Sequence, residues 1–291
     1  MKRIFAFLTT AIAVFINFTA GAQQNTDNKS LLWQITGKGL AKPSYLFGTM
    51  HQICQDDYLW TDKMKTSLEK SEKVCFEMDM DDPNVMMEVA AGLIDKTGKE
   101  LKDYFTPEQY KLVQQYVKDS LGMDITMFAK MKPIMLQTMM GLKEVSCNNP
   151  VSYEENIMKT AQGDHKEVMG LEEAQEQLSV LETIPTDTVI AKLLEDVTGH
   201  KQEGDDEYKK LIAAYKQQDI PALYKYITAS NSISDDMGQF LDVRNKKWIP
   251  RMSKKMEKSS VFFAVGAGHL WGDNGVINLL RKDGYTIKPI K

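Results

Sequence analysis

Two matching stretches, one near each end of the chain, decide the fold. Residues 45–51 read Tyr45-Leu46-Phe47-Gly48-Thr49-Met50-His51, and residues 262–269 read Phe262-Phe263-Ala264-Val265-Gly266-Ala267-Gly268-His269. Each has the apolar run of a buried strand, then a glycine, two small or apolar residues and a histidine. A glycine permits a sharp exit from a strand, and ligand sites in α/β sheets form at the strand ends. If the two strands are neighbours, His51 and His269 converge on one site.

A third stretch supplies carboxylates. Residues 73–78 have the pattern of a strand, and the stretch Phe76-Glu77-Met78-Asp79 lies at its end. Glu77 and Asp79 are two residues apart and so face the same side. Two histidines and one carboxylate, with a water completing the shell, match a catalytic metal site. The competing interpretations are that the two acids cap the next helix near Asn84, and that the histidines are structural.

The remaining periodicity predicts an α/β fold with a central mixed sheet built from both chain ends. We expect strands at 31–36, 44–47, 73–78, 166–171, 261–265 and 285–290, and helices at 56–71 and 274–282. Between them, residues 84–162 and 173–258 are helical in pattern. We therefore expect a single domain over residues 23–291, with a large helical insertion at roughly 84–258.

The N-terminus has the layout of a secretory signal peptide. Lys2 and Arg3 precede an apolar run over 4–18, and Ala20-Gly21-Ala22 is a small-x-small cleavage pattern. We expect residues 1–22 to be removed on export to the periplasm or the exterior; the alternative is an uncleaved anchor. No later stretch approaches the ~18 apolar residues of a membrane span, so we expect no stable span after cleavage.

The three cysteines fit an oxidising compartment. Cys75 lies in the apolar run of a strand and is expected to be an inert core thiol. Cys54 and Cys147 are in loop-like contexts, and a disulfide between them is an open possibility. No CxxC pair is present, so a metal site on cysteines is not expected.

Charge and residue counts narrow the function further. The chain has 36 Lys+Arg against 40 Asp+Glu, a formal charge of -4, which argues against a nucleic-acid partner. Of its 4 histidines, His165 and His200 lie in turn-like contexts.

Methionines at 123, 127, 131, 135 and 139 recur every four residues, which we interpret as an adaptable apolar face rather than a copper site.

The ordered motifs resemble the TraB/GumN family, to which the Tiki metalloproteases are related. The motifs are Gly48-Thr49-Met50-His51, Phe76-Glu77-Met78-Asp79 and Gly266-Ala267-Gly268-His269-Leu270. Weaker matching patterns are Ser152-Tyr153-Glu154, Gly170-Leu171-Glu172 with Glu176-Gln177, Arg244-Asn245 before Trp248, and the tail from Gly272 to Tyr285. The resemblance covers nearly all of the chain after residue 22. It implies a core like that of erythromycin-esterase, ChaN-like and TraB-type proteins.

The resemblance also implies an active site made by His51, Glu77 and His269. Tiki members are peptidases that depend on a divalent metal, so we expect manganese, cobalt or zinc on these three residues. The distant erythromycin esterases are thought to use comparable residues without a firm metal requirement. Whether a metal is bound at these residues therefore stays open.

Four further residues are candidates around that site. Arg244 could hold a substrate carboxylate or stabilise an oxyanion, or pair with Asp235, Asp236 or Asp242. Glu172 could be the partner of a ligand histidine or a helix-start charge. Asp79 and Asn245 complete the set of candidates near the metal.

Three functions are consistent with these residues. The leading hypothesis is an exported metal-dependent hydrolase acting on peptides or proteins, with Glu77 as ligand or as base. The second is an esterase-like hydrolase without metal, in which His51 is the general base. The third is a non-catalytic protein that sequesters a peptide or hydrophobic ligand, which the methionine pattern would suit.

Overall fold

A computed structural model describes residues 29–142, 147, 149–199, 201–229 and 237–291. The expected signal peptide at 1–22, the turn at His200 and the acidic pair Asp235-Asp236 lie outside these ranges. No helix in the described part of the chain is long and apolar enough to cross a membrane.

The described residues form eight strands and eleven α-helices. The strands are β1 Leu32–Gly37, β2 Ser44–Thr49, β3 Ile53–Cys54, β4 Lys73–Met78, β5 Pro150–Val151, β6 Glu167–Glu172, β7 Val261–Gly266 and β8 Tyr285–Pro289. The helices are α1 Asp62–Lys70, α2 Pro83–Gly92, α3 Pro107–Leu121, α4 Pro133–Leu142, α5 Tyr153–Gly163, α6 Ala174–Leu181, α7 Thr186–Thr198, α8 Lys201–Lys216, α9 Ile220–Ala229, α10 Met237–Met256 and α11 Val276–Lys282.

Six strands form one mixed sheet in the order β6-β4-β7-β2-β1-β8. The first four are mutually parallel, whereas β1 runs antiparallel to both β2 and β8. β2 and β7 are neighbours, with Gly48 opposite Val265 and Thr49 opposite Gly266. The expected α/β fold with a mixed sheet built from both chain ends is confirmed, and the two GxxH motifs leave adjacent parallel strands.

Apolar side chains from both faces of the sheet form the main core. Phe47, Phe76, Phe262 and Phe263 are almost completely buried, and Trp248 from α10 joins them. Complete burial of a side chain of this size stabilises the fold by about 1.5–3 kcal/mol. The core therefore holds the four parallel strands rigidly, and the ends of these strands are fixed in position as well.

Polar start signals decide where the helices begin. Thr106 accepts a hydrogen bond from the Gln109 backbone N–H, Pro107 is the first residue of α3, and Gly122 ends the helix with a φ of 67°. The expected helix at 56–71 begins later, because Thr61 caps α1 by accepting from the Met64 N–H. The first residues of that prediction were wrong for this reason.

The helical portion is more divided than the periodicity suggested. Pro133 begins α4, since proline cannot continue a helix that precedes it. A second apolar cluster gathers side chains of α3, α4 and α7, including Met135 and Met140 of α4, together with Met131 just before α4. Met127 is 71% exposed, so the methionine series is not one continuous face.

A disulfide joins Cys54 to Cys147 with Cα atoms 5.9 Å apart, beside the two-stranded ladder of β3 and β5. Cys75 is buried and free. Burial raises the pKa of its thiol to about 12, which makes it unreactive.

Removing this bridge should destabilise the protein measurably. A cross-link between residues 93 apart restricts the unfolded chain, so Cys54→Ala with Cys147→Ala should lower the free energy of unfolding by about 2–4 kcal/mol. Urea unfolding measures this, with Cys75→Ala as the control that keeps the bridge. Thiol titration in denaturant should find one reactive thiol per chain before reduction; three before reduction would contradict the bridge.

Candidate active site

Four strand ends meet at one edge of the sheet. Because β6, β4, β7 and β2 are parallel, their carboxyl ends lie side by side. Glu172 ends β6 and Glu77 lies near the end of β4, whereas His269 and His51 follow β7 and β2. We call the cluster at this edge the strand-end site.

Arg244 of α10 joins the two glutamates of this site. Its Nε donates to both oxygens of Glu172 at 3.1 and 3.2 Å. Its Nη2 donates to Glu77 Oε2 at 2.6 Å and also to Glu172 Oε1. Arg244 is only 5% exposed and Glu172 7%. The alternative pairing of Arg244 with Asp242 is not made; Asp242 accepts a hydrogen bond from Asn274 instead.

Glu77 is held as a carboxylate. Its second oxygen, Oε1, accepts the Gly266 backbone N–H at 2.8 Å. Burial is the largest single influence and would raise the pKa of Glu77. The Arg244 guanidinium, together with smaller contributions from the two histidines and the Gly266 N–H, outweighs burial and holds that pKa far below its usual range. Gln177 of α6 adds a long contact of 3.4 Å to Oε2. Glu77 is therefore a fixed negative charge and a poor proton acceptor at neutral pH.

His269 is held as a neutral ring. Its Nδ1 lies 2.6 Å from Asn245 Oδ1, and the Asn245 amide nitrogen donates to the Asn274 carbonyl at 2.9 Å. This orientation of the amide places the ring hydrogen on Nδ1, so Nε2 accepts from Arg244 Nη1 at 3.2 Å. Burial lowers the pKa of His269, Glu77 opposes this and Arg244 adds to it, and together they bring the pKa to about 3. The ring also packs on Trp248, with centroids 4.3 Å apart.

His51 differs from His269 because it is accessible. Its side chain is 64% exposed, and its Nδ1 lies 3.1 Å from Glu154 Oε1. The hydrogen bond to Glu154 raises the pKa of His51 above its ordinary value. Since water screens an exposed pair, this shift bears on the protonation of the ring rather than on stability. The charges of Glu77 and Arg244 also act on His51, in opposite directions.

Three residues of the site were not assigned a role from the sequence. Glu154 is separated from His51 by 103 positions, and the fold brings the start of α5 to the end of β2, where Glu154 contacts Thr49 and His51. Trp248 donates its indole N–H to Glu172 Oε2 at 3.1 Å. Gln177 is the third. In the sequence, Glu154, Gln177 and Trp248 occur only within the weaker patterns that resemble the family.

Two candidate residues have other contacts. Asp79 accepts the Asp81 backbone N–H at 3.2 Å in the turn after β4, whereas Asp82 caps α2. Glu172 binds Arg244 and Trp248 rather than a histidine. His165 lies in a turn with a φ of 55°.

A close backbone approach lets β6 reach this site. A Cβ on Gly170 would lie 2.5 Å from the Asp79 backbone nitrogen and 2.9 Å from the Met78 carbonyl carbon. Gly170→Ala should therefore force β6 away from β4 and lower the free energy of unfolding by about 1–3 kcal/mol. Gly163→Ala, where no atom lies within 4 Å, is the control for chemical denaturation. Equal stability of the two variants would contradict this packing.

The described side chains would have to rearrange to hold a metal ion, because Arg244 occupies His269 Nε2. Glu77 already accepts N–H donors at both oxygens, and a cationic guanidinium faces His269 Nε2. In the part of the chain that the structure describes, no three His, Cys, Asp or Glu side chains are grouped to hold a metal. His51, Glu77 and His269 share a site, and metal binding by them stays a prediction.

Comparison with known proteins agrees with the motifs. The sequence profile described as the TraB/PrgY/gumN family matches residues 31–289. The chain is similar to the zebrafish (Danio rerio) Metalloprotease TIKI2, 23% identical over 90% of this chain and 61% of that protein. It is also similar to Metalloprotease TIKI1 of zebrafish, 24% identical over 92% of this chain and 65% of the relative, and to human Metalloprotease TIKI1, 24% identical over 91% and 63%. The chain thus spans less than two thirds of the length of these relatives. No solved structure gives a significant match.

Proposed function

This chain belongs to the TraB/PrgY/gumN family, and from that membership we propose that it is an exported hydrolase that cleaves peptide bonds at the strand-end site. Relatives named metalloproteases support a peptide or protein substrate. The observation that carries the proposal is the pairing of an accessible imidazole, His51, with a buried carboxylate, beside the charged cluster of Glu77, Arg244 and His269.

His51 is the group suited to activate water. Its Nδ1 is engaged by Glu154, which leaves Nε2 to take a proton from water. A raised pKa makes the ring a stronger base once it is neutral, so activity is expected on the alkaline side of neutrality. Glu77 and His269 are unsuited, because their pKa values are held low.

The reaction we propose is direct attack of water on the peptide carbonyl. The water oxygen bonds to the carbonyl carbon while His51 Nε2 takes the proton. The C–N bond then breaks, and His51 returns that proton to the leaving amine. The contacts of Arg244 use its Nε hydrogen, both Nη2 hydrogens and one Nη1 hydrogen. Its second Nη1 hydrogen is our candidate donor to the oxyanion.

Export is part of the proposal. The signal-peptide layout at 1–22 and the disulfide between Cys54 and Cys147 both suit an oxidising compartment. Expression of the full chain should yield a protein beginning at Gln23, found by N-terminal sequencing of the periplasmic or extracellular fraction. A product that retains residues 1–22 and stays with the membrane would contradict this part.

A metal-dependent form of the same hydrolysis is the second candidate. It is favoured by relatives that are named metalloproteases. It is also favoured by the oxygen atoms that accept from Nδ1 of both His51 and His269, an arrangement common for metal-binding histidines. It requires Arg244 to leave His269 Nε2. No step of the reaction above uses the metal.

Chelation separates the two candidates. Purified protein is dialysed against EDTA and assayed on a peptide library with no metal, or with Mn²⁺, Co²⁺ or Zn²⁺. The first candidate predicts cleavage in the chelated sample. Cleavage only after a metal is returned would replace it by the second, and no cleavage under any condition would contradict both.

A further inference from the structure

Glu154 lies behind His51 and contacts the ring nitrogen Nδ1. Its side chain is 11% exposed. Oε1 accepts the Thr49 hydroxyl at 2.6 Å and faces His51 Nδ1 at 3.1 Å. Oε2 accepts the Ser152 hydroxyl at 3.0 Å. Each oxygen therefore has a partner that fixes its direction.

The donors around Glu154 are themselves anchored. Thr49 is the last residue of β2 and only 2% exposed. Ser152 caps α5, since its Oγ also accepts the Glu155 backbone N–H at 3.3 Å. A buried carboxylate between two anchored hydroxyls has little freedom to turn, so the direction of the His51 ring is set by the framework.

The surrounding backbone holds the two residues together. β3 begins two residues after His51, and β5 ends three residues before Glu154. These strands pair, with Ile53 opposite Val151 and Cys54 opposite Pro150. The Cys54–Cys147 disulfide closes the same ladder. The loop that carries His51 is thereby tied to the start of the helix that carries Glu154.

We propose that Glu154 is a positioning residue for His51, which holds the hydrogen of the neutral ring on Nδ1 and presents the Nε2 lone pair to the substrate. A carboxylate accepts and does not donate, so only the Nδ1–H tautomer makes this bond. The proposal rests on the hydrolytic role of His51 proposed above, whereas the tautomer can be tested without substrate.

The first test is the ¹⁵N spectrum of the histidine rings. The chain has 4 histidines, and His51→Gln identifies the signals of His51. The neutral ring of wild type should show a protonated Nδ1 and an unprotonated Nε2. In Glu154→Ala the proportion of this tautomer should fall. In the isosteric Glu154→Gln, which keeps the shape of the side chain, it should fall less, because an amide oxygen can still accept from Nδ1.

The second test is kinetic. Loss of such a partner typically costs about 10–100-fold in activity, so Glu154→Ala should lower kcat by that factor with KM nearly unchanged. The kcat of Glu154→Gln should lie between those of Glu154→Ala and wild type. The control is Glu155→Gln at the next position, whose exposed side chain lies 4.0 Å from Lys159.

The two tests separate the failure modes. An unchanged His51 tautomer in both Glu154 variants would overturn the proposal, even if kcat fell. A changed tautomer with unchanged kcat would also overturn it, because the position of the His51 ring would then have no effect on hydrolysis. If wild type and His51→Gln hydrolyse peptides equally, the proposed function fails, and the ring spectra alone decide whether Glu154 sets the tautomer.

Discussion

Replacing His51 with alanine is expected to lower kcat/KM for peptide hydrolysis by about 10²–10⁴-fold, the contribution of a positioned general base. His51 is the accessible imidazole of the strand-end site, with 64% of its side chain exposed. Because it lies at the surface, its removal should leave the free energy of unfolding nearly unchanged. The measurement is steady-state hydrolysis of one cleaved peptide, with circular dichroism to verify folding.

The matched control is His165→Ala. His165 also lies at the surface, in a turn, and is remote from the described contacts of the strand-end site. Its replacement changes the same side chain without touching the proposed base, so kcat/KM should stay at the wild-type value. An equal loss in both variants, or no loss in His51→Ala, would remove His51 from the reaction.

Arg244→Met is expected to have the largest effect on stability, because it leaves Glu77 and Glu172 as buried carboxylates without their cation. Breaking a buried ion pair by removing one partner costs about 3–5 kcal/mol. Both carboxylates are mostly buried, with 12% and 3% of their side chains exposed. Urea unfolding at neutral pH should report a lower midpoint with an unchanged slope.

Two further variants separate charge from packing. Arg251→Met is on the same helix, but its pair with Glu176 is 37% and 26% exposed, so its loss should cost about 1–2 kcal/mol. Adding Glu172→Gln to Arg244→Met removes one of the two buried carboxylates that lack a cation, so part of the lost free energy of unfolding should be recovered. If Arg244→Met is no more destabilising than Arg251→Met, the buried charge cluster does not have the strength assigned to it.

The parts of the fold that could be predicted are those encoded locally. The apolar runs of β2, β4 and β7 have the length and composition of buried strands, and each is followed by a polar residue at the sheet edge. Parallel pairing then brings His51, Glu77 and His269 to one edge. Helix bounds were less predictable, because capping by residues such as Thr61 and Pro133 outweighs apolar periodicity.

Contacts between distant segments could not be predicted in the same way. The pairing of Arg244 with Glu77 and Glu172 spans 167 and 72 positions, and by sequence alone a local charge such as Asp242 is an equally good partner. Glu154 stands at the start of a helix, where an acid is commonplace. Only the three-dimensional arrangement distinguishes it from Glu155 beside it, which faces solvent.

Asp79 was a candidate because of its spacing from Glu77, but the structure gives it a different contact. Its spacing from Glu77 places both on one side of an ideal strand. However, β4 ends at Met78, and Asp79 turns to accept the Asp81 N–H. Asp79 thus has a partner within its own turn, and a role for it near the metal stays a prediction.

The most direct test of a hydrolytic strand-end site is a count of new peptide termini by mass spectrometry. A proteome-derived peptide library is incubated with wild type, His51→Ala or His165→Ala at equal concentration. A hydrolytic site predicts the same new termini with wild type and His165→Ala, and few or none with His51→Ala. New termini that persist undiminished with His51→Ala, or their absence with wild type, would contradict it.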